Sequence, residues 1–193
     1  VPPIILNMES QNLAKTYQSK TPREHILDAP DTYIGSVEED QAENWFRPAG
    51  EESKMQYSKY KWVPGLFKCF DEAIVNASDH GRRMAIKKGD NVMQVSLIDV
   101  QVDKDTGIIT ITNDGNGIDV EKHPDTKLWI PEMIFGHLRT STNYDKNEKK
   151  VVGGKNGFGF KLVLIYALEG SIETYDHIRK KKYTQSFGPN LSS

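Results

Sequence analysis

From Pro64 to Met84 the apolar positions Leu66, Phe70, Ala73, Ile74 and Ala77 recur at helical spacing, and Pro64 suits the first turn of a helix. The spacing predicts an amphipathic helix with that stripe facing a core. Val92 to Val102 is rich in Val, Ile and Leu with partial alternation, Asp103 to Gly107 is a cluster of turn residues, and Ile108 to Thr112 alternates again. Together they predict a hairpin. Shorter helices are expected at Pro131–Leu138 and Lys161–Leu168, and Ile172–Tyr175 should pair with Tyr183–Phe187 across the basic turn Arg179–Lys182. The charge-rich stretches 47–60, 103–107, 119–127 and 143–150 read as loops, and there is no internal repeat or low-complexity tract. Helix, hairpin, loops, helix, hairpin is an α+β order. It fits a two-layer sandwich with helices on one face of a mostly antiparallel sheet.

With 193 residues and 37% hydrophobic side chains, the chain has the size and the apolar material of one domain. Its formal charge of −2 gives the whole no strong attraction for nucleic acid. The single cysteine, Cys69, excludes an internal disulfide framework and is expected to serve packing in a reducing compartment. No apolar run approaches the roughly 20 residues of a membrane span, and residues 1–10 lack the pattern of a signal peptide. A soluble, intracellular protein is expected. Residues 1–14, which include Val1 to Asn7 ahead of Met8, read as an arm or a cloning scar, residues 15–187 as the domain, and residues 188–193 as a tail or truncated end.

Three segments carry candidate chemistry. On the first helix Glu72, Asn76 and Asp79 are spaced by four and three and share one face. A carboxylate beside an apolar wall can act as a general base on water, and an Asn oxygen four residues on is a neutral, hard ligand for Mg²⁺. Taken alone, this pattern is an ordinary solvated helix face. After the strand Ile108–Thr112 comes Asn113-Asp114-Gly115-Asn116-Gly117, where two glycines allow a sharp turn. An inward-facing carboxylate at Asp114 would accept from the exocyclic amine of adenine and reject the guanine oxygen. Alone, it is a plain Asp-Gly turn.

The third segment, Val152 to Lys161, holds four glycines in seven residues directly before an apolar helical stretch. Backbone N–H groups of Gly154, Lys155, Asn156, Gly157, Phe158, Gly159 and Phe160, with the charge of Lys161 in the first helical turn, make a cradle for phosphate. The spacing is not that of a Walker loop, and no βαβ unit surrounds it. Ser141, Thr142 and Asn143 supply hydroxyls and an amide within reach of a ribose or phosphate. The five histidines show no metal-ligand spacing with a cysteine partner.

The Glu-x-x-x-Asn helix, the Asp-x-Gly-x-Gly turn and the late glycine-rich lid, in this order, resemble the GHKL ATPases: gyrase, the large heat-shock chaperone, histidine kinases and MutL. The segments Lys20–Leu27, Pro30–Ser36, Val63–Lys68, Ile130–Leu138 and Ser141–Asp145 are similar to the N-terminal ATPase region of eukaryotic-type, type IIA DNA topoisomerases. The likeness covers about residues 15 to 187. It implies a Bergerat-fold domain that binds ATP and Mg²⁺, with Glu72 polarising the attacking water and Asn76 ligating the metal. Asp114 would read adenine, with Gly117 in the same turn; Ser141, Thr142 and Asn143 would hold ribose and phosphate; Gly154 to Lys161 would close over the triphosphate. Tyr33 would reach the nucleotide of a partner subunit in a homodimer. In the full-length enzyme, expected in the nucleus, with a mitochondrion or kinetoplast or a virus-infected host cytoplasm as alternatives, ATP would close this dimer around double-stranded DNA. The γ-phosphate lysine would come from a transducer domain beyond this chain. The chain departs from the family pattern with Asp114 where animal relatives often carry Asn, Ala29 where Arg is usual, and Phe160 where a small residue is usual.

Overall fold

The computed structural model describes residues 20–48, 54–138 and 159–192. Helix α1 (Pro22–Asp28) is opened by Thr21, whose hydroxyl accepts from the Glu24 N–H while the Glu24 carboxylate accepts from the Thr21 N–H at 2.7 Å. This reciprocal box satisfies two donors that a helix start leaves unpaired. Pro30 opens the single turn α2 (Pro30–Tyr33). A hairpin of β1 (Asp40–Phe46) and β2 (Gln56–Trp62) follows, then the long helix α3 (Pro64–Ile86). The hairpin β3 (Ile98–Asp103) and β4 (Ile108–Asn113) leads through an irregular stretch to α4 (Ile130–Gly136). Helix α5 (Gly159–Tyr166), the hairpin β5 (Gly170–Asp176) and β6 (Lys181–Phe187), and a short turn of helix at Pro189–Leu191 complete the order. This is the expected mixed α+β architecture. Among the described residues the strands pair antiparallel within each of the three hairpins.

The β1–β2 hairpin corrects the expectation of a loop over 47–60. Its register sets Glu43 opposite Lys59, joined by a 3.0 Å ion pair, and Trp45 opposite Tyr57, whose rings meet edge to face at 5.6 Å. Both faces of the hairpin are largely exposed, so its strands carry no alternation of apolar and polar residues. Cross-strand pairs hold it instead. The long strand expected over Val92–Val102 is also shorter, because the amides of Met93, Ser96 and Leu97 donate to the side chains of Asn116 and Asp114 rather than to a ladder.

The core gathers Ile26 from α1, Ile34 just after α2, and Leu162 and Ile165 from α5, with Cys69 of α3 and Leu191 packed against it. Ile26 and Ile165 are 1% and 0% exposed. Each such side chain contributes roughly 1.5–3 kcal/mol on leaving water. Along the expected α3 stripe Ala77 is buried and Phe70, Ala73 and Ile74 are half-buried, but Leu66 is 63% exposed. Gly65 is the reason. Its bare Cα faces Ile34, where a Cβ would meet Cδ1 at 3.0 Å, so the helix seats on residue 65 and swings residue 66 outward. Tyr166 ties the core down by donating its hydroxyl to the Ile26 carbonyl.

Candidate functional site

Helix α3 presents Glu72 and Asn76 one turn apart, as the spacing requires. The Lys68 ammonium lies 2.5 Å from the Glu72 carboxylate, and this partner raises the lysine's own pKa. Asn76 donates its amide N–H to the Glu72 carbonyl at 2.7 Å, which leaves its side-chain oxygen available to a ligand. Asp79 is buried, unlike its two neighbours in the motif. It serves the packed side of the helix.

The N-terminus of α5 closes onto this pair. A Cβ on Gly159 would stand 2.5 Å from Glu72 Oε2 and 3.7 Å from Asn76 Nδ2, so only a glycine lets the helix start touch the carboxylate unhindered. Two segments distant in the chain thus form one surface, with the positive end of a helix against an acid and an amide. Phe160, the departure in the lid, packs its ring edge to face on Phe135 of α4 at 5.3 Å, which anchors α5 to α4. Lys161, in the first turn, is 2% exposed, and burial pulls its pKa down to about 8.

The glycine turn is held differently from the expectation. The Asp114 carboxylate is exposed and accepts from the Ser96 N–H at 2.7 Å, the Ser96 hydroxyl at 2.5 Å and the Leu97 N–H at 2.9 Å. These bonds lower its pKa, the Ser96 hydroxyl most. The expected inward-facing carboxylate is therefore not found, because alternation along β4 sends residue 114 outward. Asn113 and Ile111 lie on the opposite, partly buried face. The glycines serve close packing: Gly115 adopts φ +89 with Val95 Cγ2 2.8 Å from where a Cβ would stand, and a Cβ on Gly117 would lie 1.9 Å from the Tyr175 carbonyl oxygen.

Two residues at this turn were not singled out from the sequence. His80, one turn beyond Asn76 on α3, contacts the Asn116 carbonyl through Nε2 at 2.6 Å, and burial lowers its pKa despite that hydrogen bond. Thr174 of β5 accepts the Ile118 N–H at 2.9 Å. Neither belongs to a local motif, so only the fold could bring them here. Tyr33 is half-buried in its own chain, with its hydroxyl 3.0 Å from His25 Nδ1. Ser141, Thr142, Asn143, Gly154, Lys155, Asn156, Gly157 and Phe158 lie outside the described residues. Among the described residues no group of three His, Cys, Asp or Glu side chains could hold a metal, and no helix is long and apolar enough to cross a membrane.

Residues 63–188 match the family described as histidine kinase-, DNA gyrase B-, and HSP90-like ATPase. DNA topoisomerase 2 of Acanthamoeba polyphaga mimivirus is 47% identical over 188 residues, covering 96% of this chain and 14% of its own length. DNA topoisomerase 2 of Penicillium chrysogenum is 43% identical over 181 residues, covering 94% of this chain and 11% of its own. The crystal structure of the ATPase region of Saccharomyces cerevisiae topoisomerase II superposes with a TM-score of 0.85 at 43% identity, over 93% of this chain and 45% of that one.

The chain belongs to the histidine kinase-, DNA gyrase B- and HSP90-like ATPase family.

It is similar to the ATPase region of type II DNA topoisomerases and spans only a small part of the curated relatives' length. The ATP-binding, GHKL-type domain expected from the ordered motifs is what the family and the fold establish. Within this ATPase domain Gly159 faces Glu72 and Asn76, the glycine turn lies between α3 and β5, and Phe160 and Lys161 stand at the start of α5.

Proposed function

We propose that this chain is the ATP-hydrolysing gate domain of a type II DNA topoisomerase, and that it binds ATP together with Mg²⁺. The observation that carries the reading is the seating of the α5 N-terminus on Glu72 and Asn76, which joins a candidate base, a hard oxygen ligand and a phosphate-binding helix end. Asn76 fits Mg²⁺: its amide N–H is spent on its own helix, so a neutral oxygen faces outward, and Mg²⁺ characteristically takes few protein ligands and completes its shell with water and phosphate oxygens. The ion would neutralise phosphate charge there.

Glu72 accepts the proton of the attacking water, with Lys68 steering its carboxylate. The first-turn amides of α5 and Lys161 hold phosphate oxygens. At the glycine turn Asn113, rather than Asp114, takes the adenine amine through its side-chain oxygen, while Asp114 braces Ser96 and Leu97. Ser141, Thr142 and Asn143 serve ribose and phosphate, and Gly154 to Phe158 cover the triphosphate. In the full-length enzyme, nuclear in location, a transducer lysine completes the γ-phosphate contacts and Tyr33 reaches the partner's nucleotide. Contacts to the γ-phosphate made only in the closed homodimer convert nucleotide binding into gate closure and passage of double-stranded DNA.

Calorimetry of the chain with ATP and Mg²⁺ tests the reading, and absence of binding by a folded sample refutes it. Glu72→Ala in the full-length enzyme should retain nucleotide affinity and lose turnover by a factor on the order of 10²–10⁴. Unchanged turnover would remove Glu72 from the mechanism.

A further inference from the structure

Asp176, the last residue of β5, is buried to 4% exposure beside the nucleotide region and takes no part in the chemistry above. Its Oδ2 accepts from the Val120 N–H and from the Arg179 guanidinium, both at 2.9 Å, and its Oδ1 accepts from the Ile178 and Arg179 N–H groups at 3.1 and 2.9 Å. Arg179 reaches on to Asp119 at 2.5 Å and lies 3.5 Å from Glu121. The stretch that follows the glycine turn is therefore gripped at 119, 120 and 121 from the β5–β6 hairpin.

Two residues back on the same face of β5, Thr174 takes the Ile118 N–H at 2.9 Å. The amides of alternate residues 118 and 120 are thus received by alternate side chains, 174 and 176, where a neighbouring strand would have offered carbonyls. Between these two bonds Gly117 is pressed against the Tyr175 carbonyl, at a distance no Cβ could share. The grip passes through Gly117 to Asn116, which is 7% exposed and receives the Met93 N–H, and from there to Asn113 at the end of β4.

We propose that Asp176, with Arg179, is a positioning residue that latches the glycine turn to the β5–β6 hairpin and so sets the base-binding wall of the nucleotide site. The inference rests on the ATP-binding reading and adds to it a residue outside every motif of the site. It separates the two ends of the nucleotide. The latch acts on the turn at 113–117, whereas the phosphates belong to the start of α5, which faces Glu72 and Asn76 of α3 rather than Asp176.

The test is Asp176→Asn in the whole chain, read by competition of adenosine and of inorganic tripolyphosphate against a fluorescent ATP analogue. Loss of a charge-assisted grip should weaken adenosine about tenfold and leave tripolyphosphate within about twofold. Arg179→Gln keeps the backbone bonds of Asp176 and should weaken adenosine several-fold; it decides the matter if Asp176→Asn does not fold. Equal weakening of both ligands would make the latch a general stabiliser, and unchanged adenosine binding in a folded variant would remove its role; either overturns the proposal. Failure of the unsubstituted chain to bind the analogue would refute the nucleotide reading instead.

Discussion

Lys161 sits in the first turn of α5 at 2% exposure, and burial brings its pKa from 10.5 to about 8. In the unfolded chain the lysine holds its proton more tightly. Above about pH 10.5 both states are neutral and folding pays nothing; as pH falls toward 8 the folded state loses stability, and below 8 the full cost of about 3 kcal/mol stands. A phosphate beside the ammonium restores the charged form. ATP binding should then draw in a proton, about 0.5 per site at pH 8 and about 0.9 at pH 9, where the nucleotide itself, with a phosphate pKa near 6, no longer titrates. Calorimetry in two buffers of different ionisation enthalpy measures that uptake directly. Affinity should decline by up to about tenfold per pH unit above 8. Lys161→Met should abolish the uptake and weaken ATP. No proton uptake at pH 9, or the same uptake by the Met variant, would refute the assignment of Lys161 to the phosphates.

Other expectations follow from close contacts. Gly159→Ala places a methyl 2.5 Å from Glu72 Oε2, the end of a flexible side chain, so the fold should survive while displacement of the carboxylate lowers turnover of the full-length enzyme by about 10²-fold; wild-type turnover in that variant would count against Glu72 as the base. Gly117→Ala meets backbone instead, 1.9 Å from the Tyr175 oxygen, and should destabilise by about 3 kcal/mol or more in chemical denaturation. For Asp176, burial raises the pKa but the Arg179 and Val120 amides and the guanidinium outweigh it, leaving about 2 against 3.8. A depressed carboxyl pKa stabilises above 3.8 and its contribution, about 2 kcal/mol, disappears as pH falls from 3.8 through 2; Asp176→Asn should lose that stability at neutral pH and flatten this part of the acid limb.

What the sequence determined by itself was local. Periodicity placed Glu72 and Asn76 on one face of α3, because a helix repeats every 3.6 residues whatever surrounds it. The β3–β4 and β5–β6 hairpins were legible in their turn clusters. The β1–β2 hairpin was not legible, since strands exposed on both faces need no alternation and are specified by partners known only once the register exists. Only the tertiary structure decided which way the glycine turn presents its side chains: Asp114 goes to Ser96 and Leu97, and Asn113 to the inner face. It also decided that Gly159 meets Glu72, that Gly117 meets Tyr175, and that Thr174 and Asp176 receive the amides of 118 and 120. These contacts join residues far apart in the chain, and their distances are set by how helices and hairpins pack, a quantity that no local spacing contains.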